Sequence, residues 1–285
     1  MDKKSPALTH VLNLATVYEL RSGVRLLLEG KMPDAERIAS AITLIPLLAA
    51  KHAPLARGII RLFASSDRAY LWWRLHVNTK AKADLSEAEA NYKLYLPHQE
   101  LRSRIPDRDA LASALATCAI KEMASTDIKM LRQSLNEIKH NDLRQETAAL
   151  VGLAPAPKPE TTPIYDAATR EGLLTGYRTN IETLLTKTSP EPWLVLNDLG
   201  EIALLGATDE ATAALESGSK IAAKIKLKEV PAFVDHVYLC AVRGALNQRN
   251  VAQARTYADK IRSPGTKAIA YVSIGLAVSE QRSAN

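Results

Sequence analysis

The chain has little phenylalanine, cysteine or glycine. It has 2 phenylalanines, 2 cysteines and 12 glycines in 285 residues. Two cysteines, Cys118 and Cys240, are too few for a disulfide-stapled secreted scaffold or a four-cysteine zinc site. Long apolar runs are missing as well. The longest, Ile38 to Ala50, contains Pro46 and ends at Lys51 and His52. It falls short of the roughly 20 residues a spanning helix needs. Residues 7–20 carry Thr9, His10, Asn13 and Glu19, unlike the apolar centre of a signal peptide. No transmembrane span is expected, and a cytoplasmic location follows. Phosphate-loop, dinucleotide-binding, Gly-x-Ser-x-Gly and His-Glu-x-x-His motifs are absent. Ser263-Pro-Gly-Thr-Lys267 has phosphate-loop residue types without the spacing. These absences do not exclude an enzyme, since a site assembled from distant residues leaves no local motif; no residue reads as catalytic, and a non-catalytic protein without cofactor or metal is the expectation.

What is present favours helix. Alanine and leucine dominate the periodic stretches, and both suit helix better than sheet. Apolar residues make up 47% of the chain and charged residues 24%, the balance of a globular protein. The length suffices for a core that needs no metal or disulfide.

One pattern recurs along the chain. A turn or cap is followed by small or apolar residues spaced four and three apart, which places them on one helical face. The series are Ala35, Ala39 and Ile42 after Gly30; Ala88, Tyr92 and Tyr95 after Asp84; and Leu131, Leu135 and Ile138 after Thr126. Ala211 and Leu215 follow Gly206, and Ala254, Ala258 and Ile261 follow Asn250. The anchors Ala35, Ala88, Leu131, Ala211 and Ala254 are 53, 43, 80 and 43 residues apart. A period near 40 is the mark of helix-pair repeats. Cys118-Ala-Ile-Lys also parallels Cys240-Ala-Val-Arg, and Asn136-Glu-Ile-Lys parallels Asp259-Lys-Ile-Arg, as an internal duplication would produce.

Gly30-x4-Ala35-x3-Ala39 and Gly206-x4-Ala211 are similar to the turn and second helix of tetratricopeptide-type repeats. Leu196 and Leu199-Gly200 resemble part of a first helix. The chain departs from that pattern at Ala203, where an aromatic is expected. It departs also in the Gly200-to-Gly206 spacing, one residue short, and in having a closing proline only at Pro264. The resemblance implies an all-α fold of helical hairpins stacked as a solenoid-like array, and no particular ligand.

Punctuation divides the array into two blocks. Pro155, Pro157, Pro159 and Pro163 forbid helix and favour a stiff extended segment. Residues 1–153 read as an N-terminal helical block, 154–163 as a proline-rich linker and 164–285 as a C-terminal helical-repeat block. Asp84-Leu-Ser-Glu87 has capping-box spacing, Pro106-Asp107 precedes another apolar series, and Ser189-Pro-Glu-Pro192 marks a further break.

Charge is local. The net formal charge is +6. Between Lys51 and Lys80 the chain carries Lys51, Arg57, Arg61, Arg68, Arg74 and Lys80 against Asp67 alone. That leaves +5 there and +1 elsewhere. Leu55, Ile59, Leu62 and Phe63 share one face of this segment and the arginines another. Tyr70, Trp72 and Trp73 supply aromatic contacts beside them. Arginine with exposed rings suits a nucleic acid, whose phosphates and bases it would meet. It also suits an acidic protein groove or an anionic membrane surface, and a solvated helix face over a core of aromatics gives the same pattern. Lys220, Lys224 and Lys228, spaced by four, read as a solvated stripe. His236 and Cys240 lie one turn apart with no third ligand, so Cys240 reads as a buried structural thiol. Glu137-x-x-His140 has di-iron spacing in a single copy and reads as surface. The expected function is a protein–protein interaction scaffold whose stacked helices present a groove. The alternative is a nucleic-acid-binding helical protein using residues 51–80.

Overall fold

The computed structural model describes residues 6–95, Arg132, Asn136, Arg144, Gln145, Ala148 and residues 165–284. Among them there are twelve α-helices and no strand, so the fold is all-α. The helices are α1 (Pro6–Leu14), α2 (Tyr18–Glu29), α3 (Asp34–Arg61), α4 (Ser65–Thr79), α5 (Lys82–Tyr95) and α6 (Ala167–Thr186). There follow α7 (Pro192–Leu204), α8 (Thr208–Ala213), α9 (Lys220–Lys224), α10 (Pro231–Asn247), α11 (Val251–Lys260) and α12 (Pro264–Ala284). The expected series at Leu131 to Ile138, the Cys118 match, Glu137–His140 and the proline-rich 154–163 segment lie outside the described residues.

The chain divides into two compact units. One holds Met1–Val11 with Ala41–Thr162, the other Leu12–Ser40 with Pro163–Asn285. This departs from the linear division expected from the prolines, because residues 12–40 sit with the second unit. The reason lies in packing that sequence periodicity does not encode. Helix α2 lies against α12, and the two backbones approach closely at glycines. A Cβ on Gly275 would fall 2.6 Å from the Leu20 amide nitrogen, and one on Gly23 would fall 2.8 Å from the Ala268 carbonyl. Both clash with backbone that cannot move aside. Two carboxylates further tie residues 12–40 to this end of the chain. Glu19 accepts from the Arg255 guanidinium, its Nε at 2.9 Å. Glu36 accepts from the Ser263 hydroxyl at 2.7 Å and the Gly265 amide at 3.0 Å.

In the first unit α4 and α5 form a hairpin joined through Lys80, which adopts a left-handed φ of 58°. Helix α3, which belongs to the second unit up to Ser40 and to the first from Ala41 on, runs for 28 residues with Pro46 and Pro54 inside it, and His52 leaves helical geometry at φ −127°, ψ 37°. Pro54 cannot donate to the Ala50 carbonyl and disfavours helix in the residue before it, so a kink falls there. This helix outruns the apolar run read from the sequence. Among the described residues it is the one helix long and apolar enough to cross a membrane. A core helix meets the same criteria, and Leu44, Ile45, Leu48, Leu55, Ile59 and Ile60 are all fully buried. The first expected anchor fails here: Ala35 and Ala39 are exposed, and the buried face runs instead through Ala41, Leu44, Ile45 and Leu48.

In the second unit α10 packs on α7, α11 on α10, and α12 on both α10 and α11. A Cβ on Gly200 of α7 would sit 3.3 Å from Cys240 Sγ and 3.4 Å from His236 Nε2, while one on Gly244 would collide with the Ala203 carbonyl. Contacts therefore advance together along α7 and α10, and these helices run parallel. Helix α6 runs antiparallel to α7, since Arg170 donates to the Leu205 carbonyl and Asn180 to Asp198.

The turns after α7 and α10 coincide bond for bond at a separation of 43 residues. The amides of Leu205, Gly206 and Ala207 donate to the carbonyls of Glu201, Ala203 and Ile202. Those of Gln248, Arg249 and Asn250 donate to Gly244, Leu246 and Ala245. This is a Schellman closure, and it requires a left-handed residue at the same place in each turn. Gly206 has φ 91° and Arg249 has φ 60°. The next helix then starts at Thr208 in one hairpin and Val251 in the other. Ala211 and Ala254, the sequence anchors, are both fully buried. The two turns also touch, Gln248 donating to the Gly206 carbonyl at 2.8 Å.

Candidate interaction surface

The 51–80 segment folds as the end of α3, a tight turn and α4. Most of its arginines are consumed locally. Arg57 donates from Nε and Nη2 to the two Asp84 oxygens at 2.8 and 3.1 Å, and the Asp84 side chain is 1% exposed. Thr79 donates to the same carboxylate at 2.7 Å. Burial pushes the Asp84 carboxyl up. The hydrogen bonds from Arg57 and Thr79, with the charges of Arg57 and His76, outweigh burial and hold it below the usual range. Asp84 therefore lies inside the first turn of α5 as the partner of α3, not as the cap its spacing suggested.

Arg68 donates to the carbonyls of Phe63 and Arg61, each at 2.8 Å. It closes the C-terminus of α3, where orphan carbonyls need donors. The Arg61 guanidinium lies 5.8 Å from the Trp72 ring centroid, a cation–π contact. Lys51, Arg61 and Lys80 are exposed, and Arg74 is half-buried. Trp72 and Trp73, expected as aromatic contacts, are 1% and 0% exposed. They are core residues, because α4 buries Leu71, Trp72, Trp73 and Leu75 together and leaves little outward face. Tyr70 keeps partial exposure. The structure thus gives Arg57, Arg61 and Arg68 separate partners within the fold and takes both tryptophans out of reach of any stacked base.

The second unit carries another candidate surface, around the His236 and Cys240 pair noted in the sequence. Glu201 of α7 lies near His236, Cys240 and Arg243 of α10, and Tyr177 of α6 lies near Glu201. His236, Cys240 and Arg243 share one face of α10 at spacings of four and three. Burial, and after it the Arg243 charge, lowers the His236 pKa. Burial raises the Cys240 thiol to about 11, so it stays protonated at neutral pH and is a poor nucleophile. Its Sγ lies 3.5 Å from His236 Nε2, in agreement with the structural reading of Cys240. Among the described residues no cluster of three or more metal-ligating side chains occurs.

Two aromatics stand out beside this seam. Trp193, in the first turn of α7, is 50% exposed, and Phe233, in the first turn of α10, is 44% exposed. The Trp193 indole donates to Glu191 at 2.9 Å. The available signal was Pro190-Glu191-Pro192, which fixes the helix start and makes Trp193 an end-of-helix residue. The lysine stripe at 220, 224 and 228 does not run along one helix. Helix α9 stops at Lys224, Ile225 is extended and buried, and a 3-10 turn follows at Leu227–Glu229. In comparison with known proteins, no family model, no curated protein and no solved structure matches the chain.

Proposed function

We propose that the protein is a non-catalytic scaffold of helical-repeat type that binds another protein. The observation that carries this reading is the pair of matching turns 43 residues apart. Such a register supports a tetratricopeptide-like repeat, in which each hairpin stacks on its neighbour and equivalent positions form one continuous surface. The first helices of the two hairpins, α7 and α10, are parallel and adjacent, as stacked repeats require. The seam between them offers Glu201, His236 and Arg243, with Tyr177 of α6 beside Glu201, a mixture of ring and charge able to accept a partner's side chains. The alternative through residues 51–80 has less support, since Arg57 and Arg68 are engaged within the fold and Trp72 and Trp73 are core.

Immobilised full-length chain, incubated with extract of its native source and scored for both protein and nucleic acid, tests the proposal. A defined protein should be retained after nuclease treatment. It should be lost with Glu201→Arg combined with Arg243→Glu, and kept with Arg61→Ala. Retention of nucleic acid alone, lost with Arg61→Ala and at high salt, would remove the scaffold reading in favour of the alternative.

A further inference from the structure

One end of the second unit gathers cations and rings. Parallel packing puts the N-termini of α7 and α10 at the same end, with their positive helix poles. The chain entering α10 carries Lys220, Lys224, Lys226 and Lys228, all exposed, against the single acid Glu229. Only Lys226 meets it, at 3.2 Å between side chains that are 80% and 66% exposed, a pairing of little strength in water. Ile221 and Ile225 are buried and hold this segment down, so its lysines project from a fixed backbone. Exposed Phe233 follows directly, and Trp193 stands at the start of the neighbouring helix.

The end of α11 arrives here too, because the Arg262 and Ser263 amides donate to Asp235 at the start of α10, at 2.9 and 2.7 Å. It adds Lys260, whose ammonium lies 5.7 Å from the Tyr238 ring centroid, together with Arg262 and Asp259. Lys187, Glu191 and Glu216 complete the charged surroundings. Seven cations (Lys187, Lys220, Lys224, Lys226, Lys228, Lys260 and Arg262) thus accompany five acids (Glu191, Glu216, Glu229, Asp259 and the buried Asp235), a net charge of +2.

We propose that this end of the second unit docks onto an anionic lipid bilayer. Trp193 and Phe233 enter the boundary between headgroups and acyl chains, and Lys220, Lys224, Lys226 and Lys228 meet the negative headgroups. Composition decides between a bilayer and an acidic polypeptide. Protein interfaces are depleted in lysine, whereas clustered lysines beside exposed rings are what an anionic membrane surface attracts. The inference stands apart from the protein partner proposed above, and a failed capture of that partner leaves it intact.

Full-length protein is co-sedimented with vesicles of phosphatidylcholine alone, or of phosphatidylcholine with roughly a third phosphatidylserine. Binding is expected to the mixed vesicles only, weakening about tenfold or more as salt rises from low to high. Lys224→Glu with Lys228→Glu, and separately Trp193→Ala with Phe233→Ala, should each weaken it by about tenfold or more. Far-UV circular dichroism should stay unchanged, since these are surface positions. Brominated acyl chains should quench fluorescence in the wild type and not in Trp193→Phe, because Trp72 and Trp73 are shielded in the core. No sedimentation with mixed vesicles at low salt, or equal sedimentation with neutral ones, would overturn the proposal. Binding that ignores both double variants would also overturn it. So would full competition by polyglutamate with no sensitivity to Trp193→Ala, which would assign the surface to an acidic polypeptide.

Discussion

Residues 51–80 and residues 220–233 are both cationic in sequence, yet they use their charge in opposite ways. In the first, guanidinium groups turn inward: Arg57 grips Asp84, Arg68 closes α3, and Arg61 lies over Trp72. In the second, ammonium groups project into solvent beside one carboxylate. The difference follows from the two side chains. Arginine presents a planar fork that matches a carboxylate or a pair of carbonyls, and it is weakly hydrated. Lysine is strongly hydrated on a flexible stem and gains little from a fixed partner. Charge density along a chain therefore reports a surface only after the arginines have been matched to their acceptors.

The comparison breaks most sharply at Arg57. Arg57→Ala leaves the Asp84 carboxylate buried without its cation and is expected to destabilise the chain by about 3 kcal/mol or more, measured by urea denaturation. The same pair gives an acid signature. Folding holds the Asp84 pKa below the 3.8 of an ordinary aspartate. Its stabilising contribution is thus complete above that value and is lost as pH falls through the lower folded value. Denaturation followed downward from pH 5 should show the loss in the wild type, and Asp84→Asn should flatten it. A flat wild-type profile would mean that the pair is not formed.

Smaller effects sharpen the contrast. Arg68→Ala removes two donors from the carbonyls ending α3 and should cost on the order of 1 kcal/mol by thermal melting. Lys220→Ala, Lys224→Ala and Lys228→Ala should each shift stability by less than about 0.5 kcal/mol. A lysine variant as costly as Arg68→Ala would show that the second segment is also structural.

These cases mark what the sequence could disclose. The helical class was legible because alanine and leucine recur at helical spacing, and the anchors Ala211 and Ala254 fall on the buried faces of α8 and α11. Ala35 misled, since Gly30-x4-Ala35 has the right spacing while the buried face of α3 begins five residues later at Ser40 and continues through Ala41. A turn motif constrains local geometry but not which side of the following helix meets a neighbour. The arginines of the candidate surface were legible as charges and illegible as bonds, because Asp84 lies 27 residues from Arg57 and nothing local links them. Trp72 and Trp73 were misread for the complementary reason: adjacent aromatics on a short helix look two-sided until the surrounding helices bury both. Trp193 was illegible because it sits in no charged run of its own helix.

The seam between α2 and α12 has a consequence for synthesis. Glu36 waits for Ser263, 227 residues later, and Glu19 waits for Arg255, 236 residues later. At ribosomal speeds that interval lasts roughly ten to fifty seconds. Throughout it, Leu20, Val24 and Leu27 have no mate to cover them. A chain released early, or a variant with the tail removed, would carry that unsheltered helix into the crowd of the cell. Residues 12–40 thus reach their place in the second unit only after residues 251–284 have been made.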